Sequence, residues 1–288
     1  MIKRTTAHPI ARSTMTIRSS DPDSPNAASM HTNAPPPSPP LDVSPRAATH
    51  VPDDVTPPQT RPARAVDATK LSARQRWRLA LDALGRVMVN PEQTDQVLVF
   101  SMYANAGTMA SRIHRFFDDP RGRRLYEERR LIDARSVDLD ALGALPEGTL
   151  GRAYADFLRS RGLSPDVFEH APDEVPDPRM AYVIQRLRQT HDLWHVVTGY
   201  ETDPASEIAL QAFTFAQVRG PSSLILAALG TLRGTPSKPD LVLDVVSAFR
   251  IGLRAEKLAV FPWEDHWTRP LVEVRELLGL PIKPRAAA

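Results

Sequence analysis

The chain has 288 residues, with 36 Lys and Arg against 34 Asp and Glu, and no cysteine. The missing cysteines exclude disulfides, thiolate metal sites and a cysteine nucleophile. Residues 1–65 hold 7 of the bases and 5 of the acids, so the remainder balances at 29 against 29 and lacks the net basic charge expected of a protein whose main partner is nucleic acid.

Residues 1–65 contain 13 of the 28 prolines, including Pro35–Pro37 and Pro39–Pro40, in a background of Ser, Thr, Ala and Asn. Such a segment buries too little apolar surface to offset its ordering entropy, so a disordered tail is expected. Residues 1–20 carry Lys3, Arg4, Arg12 and Arg18 and no acid, which is also the composition of a mitochondrial transit peptide. Pro9 and a poor apolar period weigh against that reading.

From about Leu71 the period becomes helical, and no stretch alternates in the manner of a strand. Leu71–Val89 predicts an amphipathic helix whose buried side holds Trp77, Leu79, Leu81, Leu84, Val87 and Met88, closed by Asn90-Pro91. Helices over Glu92–Ala104 and Thr108–Phe117 follow, with Gly107 as a break, and then a basic helix over Pro120–Arg130. A turn at Leu145–Gly151 leads into a helix over Arg152–Arg161. Asp177-Pro178 combines an N-cap with proline at the first helical position, and Gly199 supplies a stop, so one helix is expected between them. Asp203-Pro204 repeats the start signal for a helix reaching about Val218 before Gly220-Pro221. Leu224–Leu232 predicts a short apolar helix. Asp240–Val260 predicts a long one, buried through Leu241, Leu243, Val246, Phe249, Leu253 and Leu258. Pro270–Leu278 ends the set at Gly279. The longest apolar run, Leu224–Leu229, falls far short of the ~18 residues that suggest a membrane span. The expected architecture is all-α, with a disordered tail over 1–65 and a single multi-helix domain over 66–288.

Chemistry concentrates at His191-Asp-Leu-Trp-His195, with Glu207 twelve positions beyond His195. Residues four apart share a helix face, so His191 and His195 can address one ion. The short connection Gly199–Asp203 predicts antiparallel neighbouring helices, with Glu207 brought to the His pair. Two imidazoles and a carboxylate suit zinc, with iron(II) or manganese as alternatives. Asp192 lies about 100° round the helix from His191, as a fourth ligand or as a proton-handling group beside the ion. Gln211, one turn after Glu207, faces the same way. Trp194, Val196 and Val197 read as core. Arg188, one turn before His191, is a candidate to hold substrate oxygens, against the plainer reading of a surface ion pair.

The string formed by His191, Asp192, His195 and Glu207 resembles the metal motif of the coenzyme Q biosynthesis protein four family. Leu145–Tyr154, Tyr182–Arg188, Trp263-Glu264, Leu271–Arg275 and Leu278-Gly279 resemble that family's flanking segments in order, so the resemblance covers most of residues 70–283. It implies an all-α protein of ubiquinone biosynthesis that binds zinc through all four motif residues. It implies removal of the ring C1 carboxyl from a polyprenylated hydroxybenzoate, alone or coupled to hydroxylation at that carbon. By its position beside the His pair, Asp192 is the candidate catalytic acid to deliver a proton to that carbon. The resemblance further implies prenyl-lipid binding, peripheral membrane association and assembly with other enzymes of the pathway, and homo-oligomers are compatible with it. The expected location is the bacterial cytoplasm or the face of the inner membrane, or the matrix face in a mitochondrion. Apolar grooves for the prenyl chain are expected at Leu224–Leu229 and Val242–Val246. Two other functions fit the residues: a non-catalytic prenyl-lipid scaffold with a structural metal, and a zinc hydrolase, since His-x-x-x-His spacing also marks zinc proteases.

Overall fold

Helix signals account for most of the architecture in this computed structural model, which describes residues 68–90, 94–165, 175 and 177–281. The tail expected over 1–65 lies outside the described residues. Twelve α-helices run in order among them: α1 Ala73–Val89, α2 Thr94–Asn105, α3 Met109–Asp118, α4 Pro120–Glu127, α5 Leu139–Gly143, α6 Leu150–Ser160, α7 Pro178–Gln189, α8 His191–Thr198, α9 Pro204–Val218, α10 Pro221–Gly234, α11 Leu241–Arg254 and α12 Leu271–Leu277. Short 3-10 turns lie between α2 and α3 and between α11 and α12. Among the described residues the only β pairing is a single bridge between Thr149 and Pro270.

The caps expected at Asp177, Asp203 and Gly199 are present, and others join them. Ser72 and Gln75 form a capping box before α1. Asp119, Asp177 and Asp203 each accept backbone N–H bonds in front of a proline-initiated helix. Gly199 ends α8 at φ 73°, a backbone region that costs a non-glycine residue strain. The short helix α5, capped by Asp138, was not foreseen, because five residues carry too little period to register.

Four expectations are corrected. The helix foreseen over 178–199 is two helices. The Thr190 hydroxyl donates to the Arg186 carbonyl at 2.9 Å, and the chain turns there before α8 begins. The buried face of α1 is Ala80, Ala83 and Leu84, while Trp77, Leu79, Leu81 and Met88 are exposed. The long helix of 240–260 stops at Arg254. It buries Leu241, Ala248 and Gly252, with Leu243, Val246 and Leu253 outward. In both helices small residues make the close contacts, because they let neighbouring backbones approach. Finally, α8 and α9 do not lie along each other. α8 packs mainly on α6, α12 and α7, and α9 on α11 and α10.

The main core joins α6, α8, α9, α11 and α12 through Leu150, Tyr154, Leu193, Leu210, Phe213 and Trp263. Trp194, Val196 and Val197 are buried in it as expected. A second cluster closes α1 on α2 around Leu84 and Phe100, and a third joins α3, α4 and α7 around Phe116 and Tyr182. Arg186 is fully buried between these layers. It pairs with Glu264 and donates to the Phe261 carbonyl at 3.2 Å, which satisfies a charge that could not otherwise stay inside.

Candidate metal centre

His191 and His195 stand one turn apart on α8, and Glu207 sits in the first turn of α9. The two helices meet where Trp194 packs edge-on against Phe213 and where His195 faces Glu207. His195 Nε2 lies 3.3 Å from one Glu207 oxygen, and His191 Nε2 lies 3.9 Å from the other. Ligand atoms of all three residues fall within 4.8 Å of one another. A divalent ion fits this donor set.

Neighbouring groups hold the set in place. His195 Nδ1 lies 2.8 Å from the Tyr200 carbonyl, which can only accept, so Nδ1 carries the proton and the lone pair of neutral His195 is on Nε2. The His195 ring stacks on Phe157, and the Arg161 guanidinium carbon lies 3.9 Å from the Phe157 ring centroid. Gln211 donates to Glu207 Oε1 at 3.1 Å. The face-sharing of Gln211 expected from the sequence is realised as this positioning bond.

The electrostatics follow from burial and pairing. Burial holds the His191 imidazole below its ordinary value. Burial also opposes the charged form of His195, but the hydrogen bond and charge of Glu207 outweigh it and raise His195. For Glu207 burial works upward, yet the two imidazoles and Gln211 outweigh it and bring the carboxyl down to about 2. Asp192 is raised, chiefly by burial. Its carboxylate does not join the three-residue set, although His191, His195 and Glu207 all lie within its electrostatic reach.

An apolar cavity of about 330 Å³ opens beside the set, with His191, Trp194, Glu207 and Arg188 on its wall. Arg188 is half-buried there. No carboxylate pairs with it among the described residues, so the surface ion pair is not formed, and burial lowers its guanidinium. Much of the apolar wall comes from α2 and α7, through Val97, Leu98, Met102, Met180, Ile184 and Leu187. The grooves expected at 224–229 and 242–246 contribute Leu226 alone, while Leu224, Val242, Leu243 and Val246 are exposed. The missed signal is in α2, whose apolar residues surround the helix and so serve a core on one side and a cavity on the other. Arg112 also lines the cavity and was missed. It sits in the apolar stripe Met109, Arg112, Ile113, Phe116, where a cation is out of place, and that was the readable sign.

The family model for coenzyme Q (ubiquinone) biosynthesis protein Coq4 matches residues 67–284. The chain is 34% identical over 214 residues to the "Ubiquinone biosynthesis protein COQ4 homolog, mitochondrial" of Mus musculus, covering 73% of this chain and 80% of that one. It is 31% identical over 210 residues to the "Ubiquinone biosynthesis protein COQ4, mitochondrial" of Laccaria bicolor, covering 72% of this chain and 70% of that one. A crystal structure of a protein from Nostoc punctiforme, described as a ubiquinone biosynthesis protein, superposes with TM-score 0.57 at 30% identity, over 70% of this chain and 96% of that one.

Proposed function

The chain belongs to the coenzyme Q (ubiquinone) biosynthesis protein Coq4 family and serves ubiquinone biosynthesis, and from that premise we propose that it removes the C1 carboxyl of a polyprenylated hydroxybenzoate at the His191–His195–Glu207 centre. The observation that carries this reading is the placement of three convergent ligands on the wall of an otherwise apolar cavity. A divalent ion, zinc first and iron(II) or manganese as alternatives, would when bound supply Lewis acidity toward the negative charge that develops on the ring as the carboxyl leaves. His191, His195 and Glu207 hold it, and Asp192 stands beside them as fourth ligand or as proton donor. Arg188, cationic and unpaired, takes the substrate's remaining oxygens. The C1–carboxyl bond breaks with its electron pair left on the ring carbon, carbon dioxide departs, and protonated Asp192 delivers the proton that replaces it. Trp194 and Leu187 screen the ring from water.

The same proposal includes peripheral membrane association and docking of other pathway enzymes. Leu243, Val246 and Leu253 of α11, and Trp77, Leu81 and Met88 of α1, expose apolar stripes that support it. No helix among the described residues is long and apolar enough to cross a membrane. The relatives' names place those proteins in mitochondria, which supports the matrix-face location over the bacterial one for this chain.

The test is metal analysis of protein purified without chelator, beside Glu207→Ala and His195→Ala, followed by release of labelled carbon dioxide from a ring-carboxyl-labelled prenylated hydroxybenzoate. Near one equivalent of metal in the parent, lost in both variants, together with metal-dependent release, is the expected result. A folded parent that takes up no metal overturns the centre. A metal-replete parent that releases no carbon dioxide, with or without oxygen and a reductant, overturns the reaction and leaves a lipid-binding scaffold.

A further inference from the structure

Arg112 projects from α3 into the cavity wall near the far end of α9 from Glu207. A Cβ built on Gly220, just past that end, would lie 3.6 Å from its guanidinium carbon, and neighbouring Arg115 donates to the Val218 carbonyl at 3.1 Å. Glu207 and Val218 are eleven residues apart on one helix, which sets the two ends of the cavity roughly 15 Å apart. Arg112 Nε is buried and makes no hydrogen bond, and no carboxylate pairs with the side chain among the described residues. Burial, with a smaller push from Arg115, lowers its guanidinium to about 10. Thr214, on the α9 face between the two ends, likewise carries a buried hydroxyl with no partner. The start of α10 adds positive potential nearby. Gly220 offers no capping side chain, and Asn105 of α2 accepts from Ser222 N at 3.1 Å instead.

A half-buried cation with no counter-charge and a buried, unbonded Nε is costly, and proteins retain one where a ligand completes it. Among the described residues the cavity presents two guanidiniums without an ion pair, Arg112 and Arg188, at different places on its wall, and its one carboxylate, Glu207, is already engaged by the imidazoles. We infer that Arg112 is the receptor for an anionic oxygen group at the end of the cavity remote from the metal centre, so that the cavity takes an amphiphilic anion with its apolar body between the two poles. The inference rests on the cavity being the substrate site, and it adds a second anchoring point to that site. The Nε edge of a guanidinium offers two parallel donors, which match a carboxylate or a phosphate monoester.

The experiment uses chelator-treated, metal-free full-length protein, with binding followed by the fluorescence of Trp194 in the cavity wall. The probes are dodecanoate, dodecyl phosphate and dodecanol, three heads on one apolar chain. Both anions are expected to bind about tenfold or more tightly than the alcohol, the difference a charge-assisted bond makes. Whichever anion binds more tightly names the head group. Arg112→Met removes the preference, while Arg86→Met, an exposed arginine of α1 away from the cavity, keeps it. Arg112→Met also raises the Tm of the ligand-free protein by about 2–4 °C, since it relieves a buried charge and keeps the apolar stem. A preference that survives Arg112→Met, or that disappears with Arg188→Met instead, overturns the inference. So does a lowered Tm in Arg112→Met, which would make the arginine structural. Because no metal is present, failure of the decarboxylation reading leaves these outcomes unchanged.

Discussion

Two glycine-to-alanine replacements should move stability in opposite directions. Gly252 lies in the last turn of α11, against α9. A Cβ there would stand 2.8 Å from the Ala216 Cβ and 2.8 Å from the Phe213 carbonyl oxygen, and 3.2 Å from the Phe213 Cα. Ordinary contacts begin near ~3.5 Å, so α9 and α11 must part by something under ~1 Å. Most of the obstruction is backbone and cannot rotate away. Overpacking of this kind costs about 1–3 kcal/mol, while alanine in a helix interior gains about 1 kcal/mol over glycine. The packing term wins, and the net loss is on the order of 1 kcal/mol, or about 2–4 °C in Tm for a domain of this size. Gly85 is the control. It lies in exposed α1, and a Cβ there meets nothing within 4 Å. Gly85→Ala therefore gains about 0.5–1 kcal/mol. Urea denaturation reads both as shifts in midpoint at constant slope. If Gly252→Ala is as stabilising as Gly85→Ala, the close approach of α9 and α11 is wrong, and with it the packing that orients the helix carrying Glu207.

Two further outcomes follow from charge. Glu264→Ala leaves fully buried Arg186 without its carboxylate and should cost about 3–5 kcal/mol in urea denaturation, and a loss below about 1 kcal/mol would show that the pair is not closed in solution. The His195–Glu207 pair makes opposite demands on metal-free and metal-bound protein. His195 is raised in the fold, so its pairing stabilises the metal-free protein fully below its ordinary value near 6.5 and is lost as pH rises through the folded value. Glu207 is lowered to about 2, so the acid-side loss comes only as pH falls from its ordinary 4.5 through that value. Glu207→Gln should therefore cost metal-free protein most stability between these limits and progressively less at higher pH. Metal needs the bare Nε2, so affinity should rise about tenfold per pH unit until His195 is deprotonated. A calorimetric affinity that is flat from pH 5 to 8 would rule out His195 as a ligand.

The sequence by itself determined most of the helices, the caps at Asp177, Asp203 and Gly199, and the residue types of the centre. Those are local properties: Asp-Pro starts, a left-handed glycine stop, and two imidazoles one turn apart need only the residues within a few positions of themselves. It also placed Trp194, Val196 and Val197 inside, because the apolar residues of α8 follow one another about His195 and the helix is buried all round from Leu193 to Val197. Which side of α1 and α11 is buried was decided by tertiary structure. Trp77, Leu81, Leu243 and Leu253 look like core by type, but helix approach distance favours Ala80, Ala83, Ala248 and Gly252 at the contacts, and no period reveals that. The break at Thr190 depends on whether its hydroxyl bonds back to Arg186, a choice open to threonine in any helix. Only the fold brought Glu207 against His195 without packing α8 along α9, seated Phe157 on the imidazole, and placed Arg188 and Arg112 on one apolar cavity with no ion pair among the described residues. Burial and pairing are properties of the assembled helices, and they turn these ordinary side chains into a candidate site.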